Sequence, residues 1–142
     1  MNQIRPVALC VFRNNNRILV FEGFEKLRSE TFYRPLGGGI EFGEKAEDTV
    51  RRELKEEINA EVDELRYLGM LENIYIFNGK PYHEIVMIFD GALSESELYE
   101  QALIVGEEAN GDTIHAMWKS LDEFESGGCI LYPPGLLELL SK

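Results

Sequence analysis

Positive charge is scarce in this chain: 14 Lys and Arg stand against 26 Asp and Glu, giving a formal net charge of −12 and a sequence pI near 4.6. Such a surface is unsuited to tracking a long phosphate backbone, because non-specific nucleic-acid binding needs cations to neutralise phosphates. Cysteine is nearly absent, with Cys10 in an apolar run and Cys129 near the end. Two such residues make neither a metal-ligand spacing nor a disulfide framework, so reduced thiols and a cytoplasmic setting are expected. No apolar stretch approaches the length that spans a bilayer, and the first residues show no charged-then-apolar leader, so no membrane partner is expected. Internal repeats and low-complexity tracts are also missing. With 142 residues and 44% hydrophobic composition, the expectation is one domain, residues 1–142, with a sizeable core.

Carboxylates are abundant, and some stand where apolar side chains belong. On a helical wheel from Ala46 to Ile58, the residues Ala46, Val50, Leu54 and Ile58 recur every four and form one apolar stripe. Asp48, Arg52 and Lys55 lie on the far side, with Arg51 at its border. Glu57 breaks the pattern. Its direction falls between those of Ala46 and Val50, with Glu53 on the edge of the apolar arc and Glu56 one step further round. A carboxylate aimed at a core costs several kcal/mol unless it is paired, neutralised or bound to a metal. Three on one flank also repel one another, by roughly 3 kcal/mol per pair at about 5 Å and an effective dielectric near 20. A hard divalent cation removes both penalties.

The spacing suits that role. Glu53 and Glu57 stand one turn apart and Glu53 and Glu56 three residues apart, so their side chains converge on one patch. Ligands that are all oxygen favour Mg²⁺ or Mn²⁺ over zinc, and Mg²⁺ commonly borrows phosphate oxygens from its substrate. Partial coordination by protein therefore points to phosphate chemistry. Gly37-Gly38-Gly39 reads as a tight turn. It is no Walker loop, since no Gly-Lys-Ser/Thr follows, and no dinucleotide fingerprint, since Phe42 stands where the last glycine belongs.

Punctuation along the chain predicts a hairpin of Val7 to Phe12 and Ile18 to Phe21 across Asn14-Asn15-Asn16. A charged connection follows over Glu25 to Glu30, then an extended segment over Phe32 to Leu36 leads into the glycines, and the helix occupies Glu44 to Ile58. A second hairpin joins Glu64 to Phe77 with His83 to Phe89 across Asn78-Gly79. The acidic Ser94 to Ala109 is open between short helix and loop. Thr113 to Trp118 reads as a strand, Leu121 to Glu125 as a short helix, and Gly135 to Leu140, after Pro133-Pro134, as a terminal helix. Mixed strands with one long helix on one side and another helix opposite give an α/β fold, an α/β/α sandwich.

In order, Gly38, Glu44, Arg52-Glu53-Leu54 and Glu56-Glu57 resemble the Nudix box, the signature of the Nudix hydrolase superfamily, with Asn59 where the pattern has glycine and Ala60 where it has a larger aliphatic residue. Asn is the next best residue at a left-handed helix end, so the cap is expected to persist. The resemblance implies a Nudix-like sandwich in which Glu53, Glu56 and Glu57 ligate Mg²⁺ or Mn²⁺, with the Gly38 carbonyl as a further ligand. It also implies that Glu44 and Arg52 tie the glycine segment to the helix; an ordinary pair of Arg52 with Glu56 is the simpler alternative.

The expected reaction is metal-dependent hydrolysis of a pyrophosphate bond in a nucleoside diphosphate linked to another moiety. The general base is open among Glu56, Glu57, Glu107 and Glu108, with His83 and His115 as further titratable groups. For the substrate, Phe32 or Tyr33 is placed to stack on a base and Arg34 to pair with a phosphate, while Tyr75, Phe77 and Tyr82 offer another stacking surface. A catalytically silent nucleotide-binding or sensing domain is the alternative, argued against by the intact carboxylate set. An isomerase acting on a diphosphate ester is a third reading, for which no Cys is suitably placed. The partner expected is a small-molecule nucleotide, with a homodimer left open.

Overall fold

The structure is a computed structural model in which residues 2–108 and 110–142 are described. Ala109, the last residue of the stretch left open between helix and loop, lies outside them. The elements run β1 (Ile4–Asn14), β2 (Arg17–Glu25), β3 (Glu30–Arg34), β4 (Leu36–Gly39), α1 (Ala46–Ile58), β5 (Val62–Phe77), β6 (Lys80–Leu93), a 3₁₀ turn at Ser96–Tyr99, β7 (Ile104–Glu107), β8 (Thr113–Ser120), α2 (Leu121–Glu125) and α3 (Leu136–Leu140).

β1 organises the sheet because both its faces are apolar. Ala8, Cys10 and Phe12 pack with Val50 and Leu54 of α1, whereas Val7, Leu9 and Val11 pack with Phe124 of α2 and with Leu136 and Leu140 of α3. A strand buried on both faces reads as a continuous apolar run, as it does here. The result is the expected α/β/α sandwich around a mixed sheet of eight strands. The predicted β1–β2 hairpin is real but short, pairing only Arg13 with Ile18 and Asn14 with Arg17. The rest of β1 runs parallel to β6 and antiparallel to β4.

Further expectations are corrected. Gly37, Gly38 and Gly39 form no turn: they are a strand, paired with Leu9, Ala8 and Val7. Glycine is required there by close approach, since a β-carbon on Gly37 would run into the Ala8 carbonyl and one on Gly38 into the Glu53 carboxylate. The segment expected over Phe32 to Leu36 is two strands on different neighbours, β3 on β2 and β4 on β1, with Pro35 between them. The acidic stretch after Leu93 contains a strand as well as a helical turn, because Ile104–Glu107 pairs with Thr113 to Ala116 of β8.

α1 starts two residues later than Glu44, at Ala46, because the Glu44 carboxylate is engaged elsewhere and Lys45 is extended. At its other end Asn59 takes the left-handed conformation, φ 54° and ψ 39°, and the Ala60 N–H closes back on the Leu54 carbonyl at 3.2 Å. Ala60 is itself buried in the core that α1 faces. Burial of Val50 and Leu54 is worth about 1.5–3 kcal/mol each, enough to hold a single amphipathic helix in place.

Candidate active site

Arg52 is the hub of the acidic helix. Its Nε donates to Glu44 Oε2 at 2.8 Å, and its terminal nitrogens donate to Glu44 Oε1 at 3.0 Å, Glu53 Oε2 at 2.8 Å, the Gly39 carbonyl at 3.1 Å and Glu56 Oε2 at 3.4 Å. Both geometries weighed for Arg52 therefore occur in one side chain. The fork reaches the glycine strand and Glu44, and also Glu56 one turn on. This removes Arg52 from the solvated far side where the helical wheel alone puts it. Glu44 accepts a further bond from the Thr49 hydroxyl at 2.7 Å and one from the Glu41 amide at 3.2 Å. The Arg52 fork and the Thr49 hydroxyl together hold the Glu44 carboxyl down at about 2. Thr49 is fully buried, and no wheel or spacing rule singles it out.

The three glutamates are not equivalent. Glu56 is exposed. Glu53 is mostly buried, with its carboxylate filling the space a side chain at Gly38 would occupy, and desolvation raises its pKa. Glu57 points deepest: its Oε1 is buried with no hydrogen-bond partner among the described residues. Burial pushes the Glu57 carboxyl up to about 8, the charges of Glu53 and Glu108 push the same way, and Arg34 and the Gly37 amide oppose them. Among the described residues no three acidic, His or Cys side chains are already gathered as a closed metal cage. What the flank offers is an orphaned carboxylate oxygen and a second carboxylate cradled against a glycine backbone. Those hard oxygen donors fit Mg²⁺ or Mn²⁺ in kind, and a cation would relieve the penalty at Glu57.

The substrate candidates separate by strand alternation. Phe32 and Arg34 point into a cleft of about 240 Å³ that is also lined by Phe21, Asn73, Tyr75, Phe77 and Tyr132. Tyr33, between them on β3, points the opposite way into the α2–α3 core. There its hydroxyl donates to Glu22 at 2.9 Å and its ring lies 4.9 Å from the Lys119 ammonium. Tyr33 is thus corrected from a substrate residue to a core one, because successive side chains of a strand face opposite sides. Two stacking surfaces that were separate in the sequence, Phe32 and the pair Tyr75 and Phe77, form one cleft. Phe32 meets Phe77 edge-on at 6.0 Å and Tyr132 at 5.3 Å between ring centroids. Tyr82 stacks on Tyr75 from outside it, at 5.2 Å. Tyr132, Phe21 and Asn73 were missed; only the aromatic character of the first two hinted at them.

Arg34 connects the two regions. It lines the cleft, its guanidinium lies 5.5 Å from the Phe21 ring centroid, its Nε is buried without a partner among the described residues, and its charge acts on Glu57. The cleft's outer wall is held by Glu25, which is 2% exposed and accepts from the Arg28 amide at 2.6 Å and the Asn78 amide at 2.7 Å. One carboxylate thereby clamps the β2–β3 turn to the β5–β6 turn.

Of the candidate bases, Glu108 is brought towards the carboxylates because β7 seats Gly106 against the Glu57 carbonyl. Glu107 is exposed at the end of that strand. His115 faces away from α1, since its neighbours Ile114 and Ala116 are the ones that join the α1 core. His83 is half-buried on β6 with its Nε2 unpartnered. Cys10 is buried in the α1 core and Cys129 packs at the α2–α3 core, so neither reaches the flank. No helix among the described residues is long and apolar enough to cross a membrane.

Comparison with known proteins follows the same lines. NAD-capped RNA hydrolase NudC of Vibrio atlanticus is 34% identical over 67 residues, 47% of this chain and 24% of that protein. The human mitochondrial NAD(P)H pyrophosphatase NUDT13 is 34% identical over 65 residues, 46% of this chain and 18% of that protein. The chain thus spans a quarter or less of the length of these curated relatives. A NUDIX hydrolase from Nitrosomonas europaea superposes over 98% of this chain and 87% of its own, with TM-score 0.65 and 16% identity. A MutT NUDIX hydrolase from Burkholderia pseudomallei superposes over 85% of this chain and 86% of its own, with TM-score 0.61 and 20% identity. The family model for the NUDIX domain matches residues 3–133, so the chain belongs to the NUDIX family.

Proposed function

We propose that this NUDIX chain hydrolyses the pyrophosphate bond of a nucleoside diphosphate linked to another moiety. One observation carries the reading: Arg34 belongs at once to the aromatic cleft and to the surroundings of Glu57. A nucleoside stacked in the cleft has its phosphates delivered past a guanidinium whose Nε has no protein partner, and on to the carboxylates of α1. Glu53, Glu56, Glu57 and the Gly38 carbonyl are the groups that would hold Mg²⁺ or Mn²⁺. Such an ion, when bound, would lower the pKa of a coordinated water and take up charge from the phosphates. Arg52 and Glu44 act at one remove, holding the Glu53 carboxylate against the glycine strand.

The protein residues divide the remaining work. Phe32, Phe77 and Tyr132 orient the nucleoside and exclude water from one side of it. Arg34 pairs with a phosphate oxygen. Glu57 and Glu108 are the candidate carboxylates to take a proton from the attacking water, burial raising the basicity of Glu57. The names of the two curated relatives, which speak of NAD-capped RNA and NAD(P)H, support a dinucleotide-like substrate.

The test is phosphate-bond cleavage across a panel of nucleoside diphosphate derivatives with Mg²⁺ and with Mn²⁺, wild type beside Glu56→Gln. Turnover that the variant loses is the expected result. Tight nucleotide binding without turnover in either protein would replace hydrolysis with a silent sensing domain.

A further inference from the structure

The aromatic cleft lies between two hairpins that share no ladder. β3 pairs with β2 and β5 with β6, and no backbone pairing joins β3 to β5 among the described residues. β1 holds β2 only at Arg13 and Asn14, so the two hairpins splay apart from there. Each supplies a wall: Phe21, Phe32 and Arg34 come from β2–β3, and Tyr75 and Phe77 from β5–β6. Among the described residues three hydrogen bonds cross the gap, and all lie at the hairpin tips. The Asn78 amide donates to Glu25 Oε1 at 2.7 Å, the Lys26 amide to Asn78 Oδ1 at 3.0 Å, and Arg28 Nη2 to the Ile76 carbonyl at 3.1 Å. Glu25 also binds its own turn, accepting from the Arg28 amide at 2.6 Å. Two converging N–H groups, one from each turn, need two acceptors on one buried side chain, and a carboxylate supplies them.

We propose that this clasp sets the width of the cleft, which makes Glu25 and Asn78 positioning residues for the nucleoside; this rests on the hydrolase reading above. The aromatic contact it fixes across the gap is that of Phe32 with Phe77, edge-on at 6.0 Å. A base stacks only on walls held at a set separation, and walls that have to be ordered on binding cost affinity. The clasp stands well away from the phosphate end. Glu25 lies four residues along β2 from Phe21, the register partner of Arg34, a distance of about 13 Å. Opening it therefore weakens capture of the nucleoside and leaves the groups that act on the phosphates in place. Glu25→Gln does so because an amide offers one acceptor and turns its NH₂ towards the second N–H. Asn78→Gly removes the Oδ1 acceptor alone, since glycine keeps the turn's positive φ of 50° without strain. Asn78 lies outside the lining of the cleft, so an effect of this variant on nucleotide passes through the clasp.

The test measures kcat and KM of wild type, Asn78→Gly and Glu25→Gln on whichever nucleoside diphosphate derivative wild type turns over best. Calorimetry of AMP, GMP, CMP and UMP on the same proteins reads nucleoside capture without turnover. KM is expected to rise about threefold in Asn78→Gly and about tenfold in Glu25→Gln with kcat within about twofold of wild type, and the affinity for the tightest of the four nucleotides to fall in the same order. A variant that merely unfolds in part loses kcat per mole of protein and keeps its KM, so that pattern overturns the inference. Should Glu25→Gln fail to fold, Asn78→Gly decides alone. Turnover with KM and nucleotide affinity unchanged in the variants overturns the inference and leaves the hydrolase reading standing, and wild type that binds none of the four nucleotides overturns it as well. Affinity that falls in the expected order in proteins that hydrolyse nothing keeps the inference and removes the hydrolase reading.

Discussion

The acidic flank of α1 and the aromatic cleft meet at Arg34 yet are built in opposite ways. The flank comes from residues close in sequence, and most of its groups are mutually satisfied: Arg52 spends all three guanidinium nitrogens on Glu44, Glu53, Glu56 and Gly39. The cleft draws on β2, β3, β5 and the segment before α3, and among the described residues it leaves Arg34 Nε without a partner. Within the flank Glu57 is the exception, with an orphaned oxygen. The difference teaches that saturated groups hold the site together, while unsaturated ones mark where a ligand completes it.

The sharpest way to break this comparison is at Glu57. Glu57→Gln is expected to lower turnover by roughly a thousandfold, since it removes both a cation ligand and a candidate base. In metal-free buffer the same variant is expected to be more stable by about 1–3 kcal/mol in urea unfolding, because it no longer buries an unpaired carboxylate. A variant less stable than wild type would show that Glu57 is satisfied by the protein alone. Arg34→Ala comes next: a drop of about a hundredfold in kcat/KM with little change in the urea midpoint, because its Nε makes no bond in the free protein. Equal loss of stability and activity would mean that Arg34 belongs with Arg52 as a structural group.

Arg52→Lys probes the saturated side. Replacing a fork by a point charge is expected to cost about 1–2 kcal/mol of stability and to loosen metal affinity through Glu53, while KM for nucleotide moves little. The smallest effect concerns acid. The folded Glu44 carboxyl sits near 2, below the ordinary value of about 4.3, so the stability it contributes is present above that ordinary value and is lost as pH falls towards 2. The urea midpoints of wild type and Glu44→Gln should therefore differ at pH 6 and converge as the pH approaches 2.5. Curves that stay parallel throughout would remove Glu44 from the network.

By itself the sequence determined the parts whose geometry is local. The turn spacing of a helix brings Glu53, Glu56 and Glu57 to one flank wherever α1 lies, and the recurrence of Ala46, Val50, Leu54 and Ile58 decides which face turns inward. Asn59 was legible as a left-handed cap for the same reason. The family likeness of the box rested on those offsets, and with it the sandwich. Tertiary structure alone decided the rest. Glycines that read as a turn became a strand because β1 lay beside them and the Glu53 carboxylate needed their missing side chains. Strand β7 is four residues in an acidic stretch, and only its pairing with β8 marks it out. Tyr33 and Phe32 are chemically alike in sequence, yet the pleat sends one to the core and the other to the cleft, and which goes where depends on the register of β3 against β2. Such pairings follow from packing, which no local spacing encodes.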